Sequence, residues 1–133
     1  MNVVSNTNRA ARIFLIVQDQ HIHQVRDALS QVWDAGGRRF ATFEDLENEE
    51  HFVQYIDGQL NVAWPYDREP GDVLRSARVG LPGSAFVVSW TAFGTAQFAV
   101  GDLRLDDVAV FIIRLLTRVF GAWEFEDRVD DDR

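Results

Sequence analysis

The sequence predicts an α+β domain in which helices cover one face of a mostly antiparallel sheet. Three observations lead to this class: short β-branched and aromatic runs are separated by turn signals, other stretches repeat apolar residues with helical spacing, and the chain contains no internal repeats. The chain has 133 residues, of which 47% are hydrophobic, so residues 1–133 suit one domain with its own core. The predicted order is strand–helix–strand–strand–strand–helix–strand–strand–helix.

A strand and a helix are the first predicted elements, after a polar stretch over residues 1–8 that we expect to be frayed. Residues 12–17 form a short, apolar, β-branched run typical of a strand that is covered on both faces. A helix beginning near Asn8 is the alternative for the same run. Over residues 20–35 apolar side chains recur every three or four positions, and the glycine pair 36–37 ends this helix.

Three strands are predicted next. Residues 38–43 alternate loosely between the two faces of a strand, and five acids among residues 44–50 predict a solvated loop after them. The runs 52–56 and 60–64 flank the pair Asp57-Gly58, which is the turn sequence most typical of a tight β-hairpin.

The second half of the chain predicts a short helix, a hairpin and a long helix. Pro70 opens the short helix, which runs to residue 79 and ends at glycines. Residues 85–90 and 96–100 form the hairpin, and an aspartate at position 102 or 106 caps the last helix. Residues 124–133 then hold six acids and two arginines, so we expect an acidic tail that is solvated or that attracts a basic partner.

The charge composition excludes several classes of function. Arginine supplies all 13 basic residues against 21 acids, and the formal net charge of −8 disfavours nucleic-acid binding. The absence of lysine excludes Schiff-base and Walker-type phosphate chemistry, and the absence of cysteine excludes thiolates and disulfides.

Catalytic and cofactor signals are weak throughout the chain. His21 and His23 could share a face with a third imidazole only on a strand, and the predicted helix points them apart, so with His51 they are read as surface histidines. The glycines form no phosphate-binding loop and the serines no nucleophile elbow. We therefore expect no enzyme, no cofactor and no metal.

The apolar runs are too short to cross a membrane. Residues 13–17 end at polar neighbours, and residues 108–116 are interrupted by Arg114. We expect a cytoplasmic protein with no membrane partner.

The last helix and four tryptophans point to an interaction surface. Apolar residues of this helix cover nearly all directions, which predicts burial against another polypeptide, most simply a homodimer, unless the rest of the chain covers it. Aromatic residues near strand ends would anchor a peptide or a dimer mate. The candidate interaction residues are Val110, Ile113, Leu116, Trp64, Trp90 and Phe93.

Two stretches carry a resemblance to a known group of domains. Residues 52–60 are similar to the second and third strands of the class I type III secretion chaperones and the related YbjN and TY-Chap domains. Residues 100–107, which lead into the long apolar helix, are similar to their C-terminal element. The element order from about Val25 onward, the small size and the acidity also match. The resemblance implies a dimer-forming, non-enzymatic protein that binds other polypeptides.

Three functions remain open at this stage. The first is an acidic protein-binding domain, chaperone-like or adaptor-like, that uses the last helix and the sheet. The second is an immunity protein or antitoxin that caps a basic toxin through the 44–50 loop or the tail. The third is a small-ligand binder or enzyme with an aromatic pocket.

Overall fold

The computed structural model describes residues 21–131. The predicted strand over 12–17 and the frayed stretch 1–8 lie outside the described residues. Within 21–131 the chain is an α+β domain with one antiparallel sheet, so the predicted class is confirmed. No helix of this part of the chain is long and apolar enough to span a bilayer.

Three helices and six strands follow one another along the described chain. We number them in chain order: α1 over residues 21–34, β1 Arg39–Asp45, β2 Asn48–Ile56, β3 Gln59–Trp64, α2 Pro70–Ser76, β4 Phe86–Trp90, β5 Gly94–Ala99, α3 Leu105–Arg114 and β6 Phe125–Asp131. A π-helical turn, Leu115–Val119, extends α3.

The sheet order is β4-β5-β3-β2-β1-β6, and every neighbouring pair is antiparallel. Three hairpins join β1 to β2, β2 to β3 and β4 to β5. At the β2–β3 turn Asp57 and Gly58 both have positive φ angles of 49° and 77°, as the predicted Asp-Gly hairpin requires.

The predicted acidic loop over 44–50 is mostly strand. Strand β1 extends to Asp45 and β2 resumes at Asn48, which leaves a two-residue turn between them. The Asp45 side chain accepts a hydrogen bond from the backbone N–H of Glu47 at 3.0 Å, a local arrangement that tightens such turns. Glu47, Glu49 and Glu50 are exposed to solvent, whereas Asp45 is buried and its carboxylate is held by this turn.

The stretch predicted as an acidic tail contains a sixth strand, so that prediction is wrong. Strand β6 pairs with β1 from Arg39–Asp131 through Asp45–Phe125. The correction has a physical reason: alternation along β6 buries Phe125 and half-buries Val129, while Glu126 and Arg128 point to solvent. The high density of charged residues therefore led to a wrong prediction for a segment that forms a strand.

The helices cover one face of the sheet. Gln24 of α1 donates to Asp127 of β6 at 2.7 Å, and the ring of Phe111 in α3 lies edge-on to Phe98 of β5, 5.6 Å away. The opposite face carries a polar row across the strands, in which Gln54 donates to Thr42 at 3.3 Å. The sheet thus buries only one of its faces under helices.

Helix α3 is covered within the chain, so the prediction that it needs a second polypeptide is wrong. Arg26 of α1 pairs with Asp106 at 3.5 Å on one flank, and Arg118 bonds the backbone carbonyl of Arg78, just after α2, at 3.0 Å on the other. The apolar α3 side chains Val108, Ala109, Phe111, Ile112 and Ile113 are buried in the core of the same chain, which explains the broad apolar surface of the helix.

Candidate interaction surface

The six predicted interaction residues divide into buried and exposed positions. Trp64 and Leu116 are fully buried and Ile113 nearly so, and Val110 is half-buried. Trp64 is held as a core residue, because its indole N–H donates to the carbonyl of Arg68 at 2.8 Å. These three buried residues are therefore corrected to core positions.

Trp90 and Phe93, the two other predicted residues, are exposed and lie on or beside β4. Strand β4 is one of the two outermost strands of the sheet that residues 21–131 form, and it also exposes Phe86 and Val88. Phe86 is 58% exposed and Phe93 is 72% exposed, which is unusual for phenylalanines. We define the β4 edge as Phe86–Trp90 together with Phe93.

A β-bulge at Val88 places the aromatic residues of the β4 edge on both faces of the sheet. Phe86 pairs with Ala99 on the open face, whereas Trp90 pairs with Ala96 on the face that the helices cover. The register shifts between Val87 and Ser89, so Val88 is the inserted residue. A chain lying beside β4 would therefore meet an aromatic side chain on either side of the sheet.

The turn after β4 holds Phe93 in a fixed position. Its φ of 55° is left-handed, an uncommon conformation for phenylalanine, and its N–H donates to the carbonyl of Tyr66 at 3.1 Å. Thr91 and Gly94 close the same turn with a 3.0 Å backbone bond. Phe93 is thus presented to solvent by backbone hydrogen bonds rather than by a loose loop.

The β4 edge belongs to an uncharged stretch of the chain. Residues 79–101 include no Asp, Glu or Arg, although 26% of the whole chain is charged. Trp90 and Phe93 were predicted from the sequence as interaction residues, whereas Phe86 and Val88 were not. This gap in the charge pattern is the signal that could have found them.

A second surface gathers acids that are far apart in sequence. Pairing of β1 with β6 places Glu44 opposite Glu126, and Leu46 N–H donates to the carbonyl of Glu124 at 3.2 Å. The predicted loop and the predicted tail therefore meet at one end of the sheet. We call this surface the acidic corner, and its residues are Glu44, Glu47, Glu49, Glu50, Glu124 and Glu126.

Two of the three histidines, His51 and His21, contact separate phenylalanines. His51 lies parallel to Phe120 with ring centroids 4.7 Å apart, and its Nδ1 is 3.6 Å from a carboxylate oxygen of Asp45. His21 lies edge-on to Phe125 at 4.6 Å. Among residues 21–131 no group of three or more His, Asp or Glu side chains could hold a metal ion.

Comparisons with models of protein families, with curated proteins and with solved structures found no match. The function of this chain must therefore be argued from its own surfaces, of which the β4 edge is the most unusual.

Proposed function

We propose that this chain is a non-enzymatic protein-binding domain, chaperone-like or adaptor-like, that binds an extended segment of another polypeptide along β4. One observation carries the proposal: an outermost strand that is free of charge exposes Phe86, Val88 and Trp90. Exposed strand edges are templates for pairing with another chain, and proteins usually protect them with charges or prolines.

Strand addition would use both the backbone and the side chains of β4. An added strand lies about 4.8 Å away, and its successive side chains point to opposite faces. One set would therefore reach Phe86 and the other Trp90, because the bulge places these two aromatics on opposite faces. Backbone hydrogen bonds would supply affinity, and the aromatic contacts would supply preference for apolar side chains.

A partner of different sequence fits this edge better than a second copy of the chain does. Two copies would each bring a net charge of −8, which repels at long range. The resemblance to secretion chaperones and to YbjN and TY-Chap domains nevertheless implies a dimer, so self-pairing is an outcome that the test must distinguish.

Selection of short peptides from a random library on the immobilised protein tests the proposal. We expect the recovered peptides to alternate apolar residues over about six positions, the length of an ordinary strand. Val88→Lys should weaken their binding at least about tenfold, because an edge lysine opposes strand pairing. Bound peptide should also slow hydrogen exchange at the β4 amides.

Leu46→Lys is the matched control, since it too replaces an exposed aliphatic residue with lysine, at the β1–β2 turn. Equal binding to the Val88→Lys variant and the wild type would overturn the β4 proposal. A particle mass of two chains that Val88→Lys reduces to one would instead identify a second copy as the occupant.

The acidic corner favours a second candidate, a domain that caps a basic partner. Its support is the convergence of Glu44 and Glu126, which the fold brings together from opposite ends of the described chain. In the same selection this function would yield arginine-rich and lysine-rich peptides. Their binding would be lost at high salt and would be unchanged by Val88→Lys.

A further inference from the structure

A crevice separate from the β4 edge lies where the end of α1 meets the β2–β3 turn. Its volume is about 310 Å³, at the lower end of the range of small-molecule sites. The end of α1 contributes Val32 and Trp33 to the lining, and the β2–β3 hairpin contributes Tyr55 and Asp57. Four glycines complete it.

The glycines keep this crevice open. Gly58 approaches Gly101 so closely that a Cβ on Gly58 would lie 3.0 Å from the Cα of Gly101. A Cβ on Gly37, whose φ is 86°, would lie 3.7 Å from a carboxylate oxygen of Asp57. Side chains at these positions would therefore narrow the space beside the carboxylate.

Two polar groups face the crevice without a partner among residues 21–131. Tyr55 lines the crevice, and its hydroxyl makes no hydrogen bond to another described residue. The Asp57 carboxylate forms no hydrogen bond or ion pair in that same part of the chain. Asp57 is exposed, so its carboxylate is open to a charge-assisted hydrogen bond from an incoming cation.

The surrounding charges favour a cation. The C-terminal end of α1 carries the negative end of the helix dipole, and Asp102 follows Gly101 in an adjoining crevice of about 250 Å³. Arg38 follows α1 but does not line the crevice. Its Nε donates to the carbonyl of Ala35 at 3.2 Å.

The neutral state of Tyr55 is also compatible with a bound cation. Burial raises the pKa of Tyr55, and the Asp57 carboxylate raises it further. The phenol therefore stays neutral at physiological pH, and the exposed indole of Trp33 provides aromatic surface of the kind that attracts organic cations.

We propose that the crevice of Trp33, Tyr55 and Asp57 binds an organic cation, an alkylguanidinium or alkylammonium group. The carboxylate of Asp57 accepts hydrogen bonds from the N–H groups of the cation, and the indole of Trp33 covers its apolar body. The site is independent of strand addition at β4, because it requires no backbone from the ligand.

Titration with butylguanidinium, monitored through NMR signals of the Trp33 indole N–H and the Gly37 and Gly58 amides, tests the proposal. We expect saturable shifts with a Kd on the order of 1–10 mM. Butylurea, which is nearly isosteric and neutral, should bind at least about tenfold more weakly. Equal binding of the two compounds would overturn the proposal.

Two substitutions locate the binding. Asp57→Asn should weaken the binding of butylguanidinium about tenfold, because it removes the negative charge. The variant should keep the fold, because asparagine tolerates the left-handed φ of 49°. Trp33→Leu should weaken it about two- to fivefold. Asp67→Asn, which removes a different exposed carboxylate, is the matched control and should leave binding unchanged. Undiminished binding to the Asp57→Asn variant would overturn the assignment.

A capped glycine-rich peptide with one central arginine, beside its neutral citrulline analogue, identifies the source of the cation. If the arginine peptide binds like butylguanidinium, the site accepts a basic side chain of a polypeptide. If only butylguanidinium binds, the site takes a free small cation. Failure of both cations would overturn the proposal and would leave the strand-addition proposal untouched.

Discussion

The two outermost strands of the sheet, β4 and β6, occupy equivalent positions and have opposite chemistry. Strand β6 carries four acidic residues and one arginine in seven positions, with sequence FEDRVDD. Strand β4, with sequence FVVSW, carries no charge. Both have a partner strand on only one side within the described residues.

The difference shows that an edge position alone does not make a binding surface. Charged side chains along β6 keep it in water and oppose pairing with another strand. On β4 the bulge at Val88 is the only such protection among its five residues, and the exposed aromatics favour contact with another chain. One edge is thus protected by charge, and the other is available.

The largest expected difference between the two edges appears when one phenylalanine is truncated on β6 and one on β4. Phe125 of β6 is buried between His21 and Phe43, with ring centroids 4.6 Å and 6.2 Å away, so Phe125→Ala should lower the free energy of unfolding by about 3–4 kcal/mol. Phe86→Ala on β4 removes an exposed ring and should cost less than about 1 kcal/mol. Urea unfolding measures both values. Equal losses would mean that β6 does not contribute to the core.

A smaller effect should appear where α1 meets β6 at His21. Burial lowers the pKa of His21 below its ordinary 6.5, and the charge of Glu124 offsets part of that change. The unfolded chain therefore takes up the proton first, and this contribution to stability is lost as the pH falls below about 6.5.

Replacing the imidazole measures that contribution. Between about pH 7 and about pH 5.5 the wild type should lose more stability than the His21→Gln variant, as followed by urea unfolding at each pH. The exposed His23 provides the control variant, His23→Gln, which should resemble the wild type. Parallel pH profiles for all three proteins would contradict the contact between α1 and β6.

The smallest effect concerns polar pairs across each edge. Arg128 of β6 contacts Glu44 at 2.8 Å and Asp130 at 3.3 Å, and its side chain is about half exposed. Arg128→Gln should lower the free energy of unfolding by less than about 1 kcal/mol, and the loss should shrink in about 1 M salt. On β4, Ser89→Ala removes a neutral 3.2 Å hydrogen bond to Gln97, so its effect should not depend on salt. A large, salt-independent effect of Arg128→Gln would show that charge is not what distinguishes β6.

Local signals predicted the elements that depend on neighbouring residues. The Asp57-Gly58 hairpin and the glycine end of α1 were both predicted, and Gly36 and Gly37 have the positive φ angles that such a helix end uses. Strand β6 escaped prediction because its partner, β1, lies more than 80 residues earlier, as the contact of Glu44 with Arg128 illustrates. The acidic composition predicted a solvated tail, but pairing with the distant strand β1 makes this segment a strand.

The candidate site was predicted only in part for a similar reason. Trp90 and Phe93 are exposed as expected, whereas Trp64 is a core residue although it also lies at a strand end. Their difference follows from sheet order, since β3 is an inner strand and β4 is an outermost strand of the described sheet. No spacing in the sequence encodes that order.

The sequence by itself determined the α+β class, the tight turns and the charge-free stretch 79–101, because each depends on residue type or on near neighbours. Only the tertiary structure decided which strands are outermost, that α3 is buried in the core of the same chain, and that distant acids meet at one corner. These properties depend on contacts between residues far apart in the chain, which form only when the whole sheet and its helices pack together.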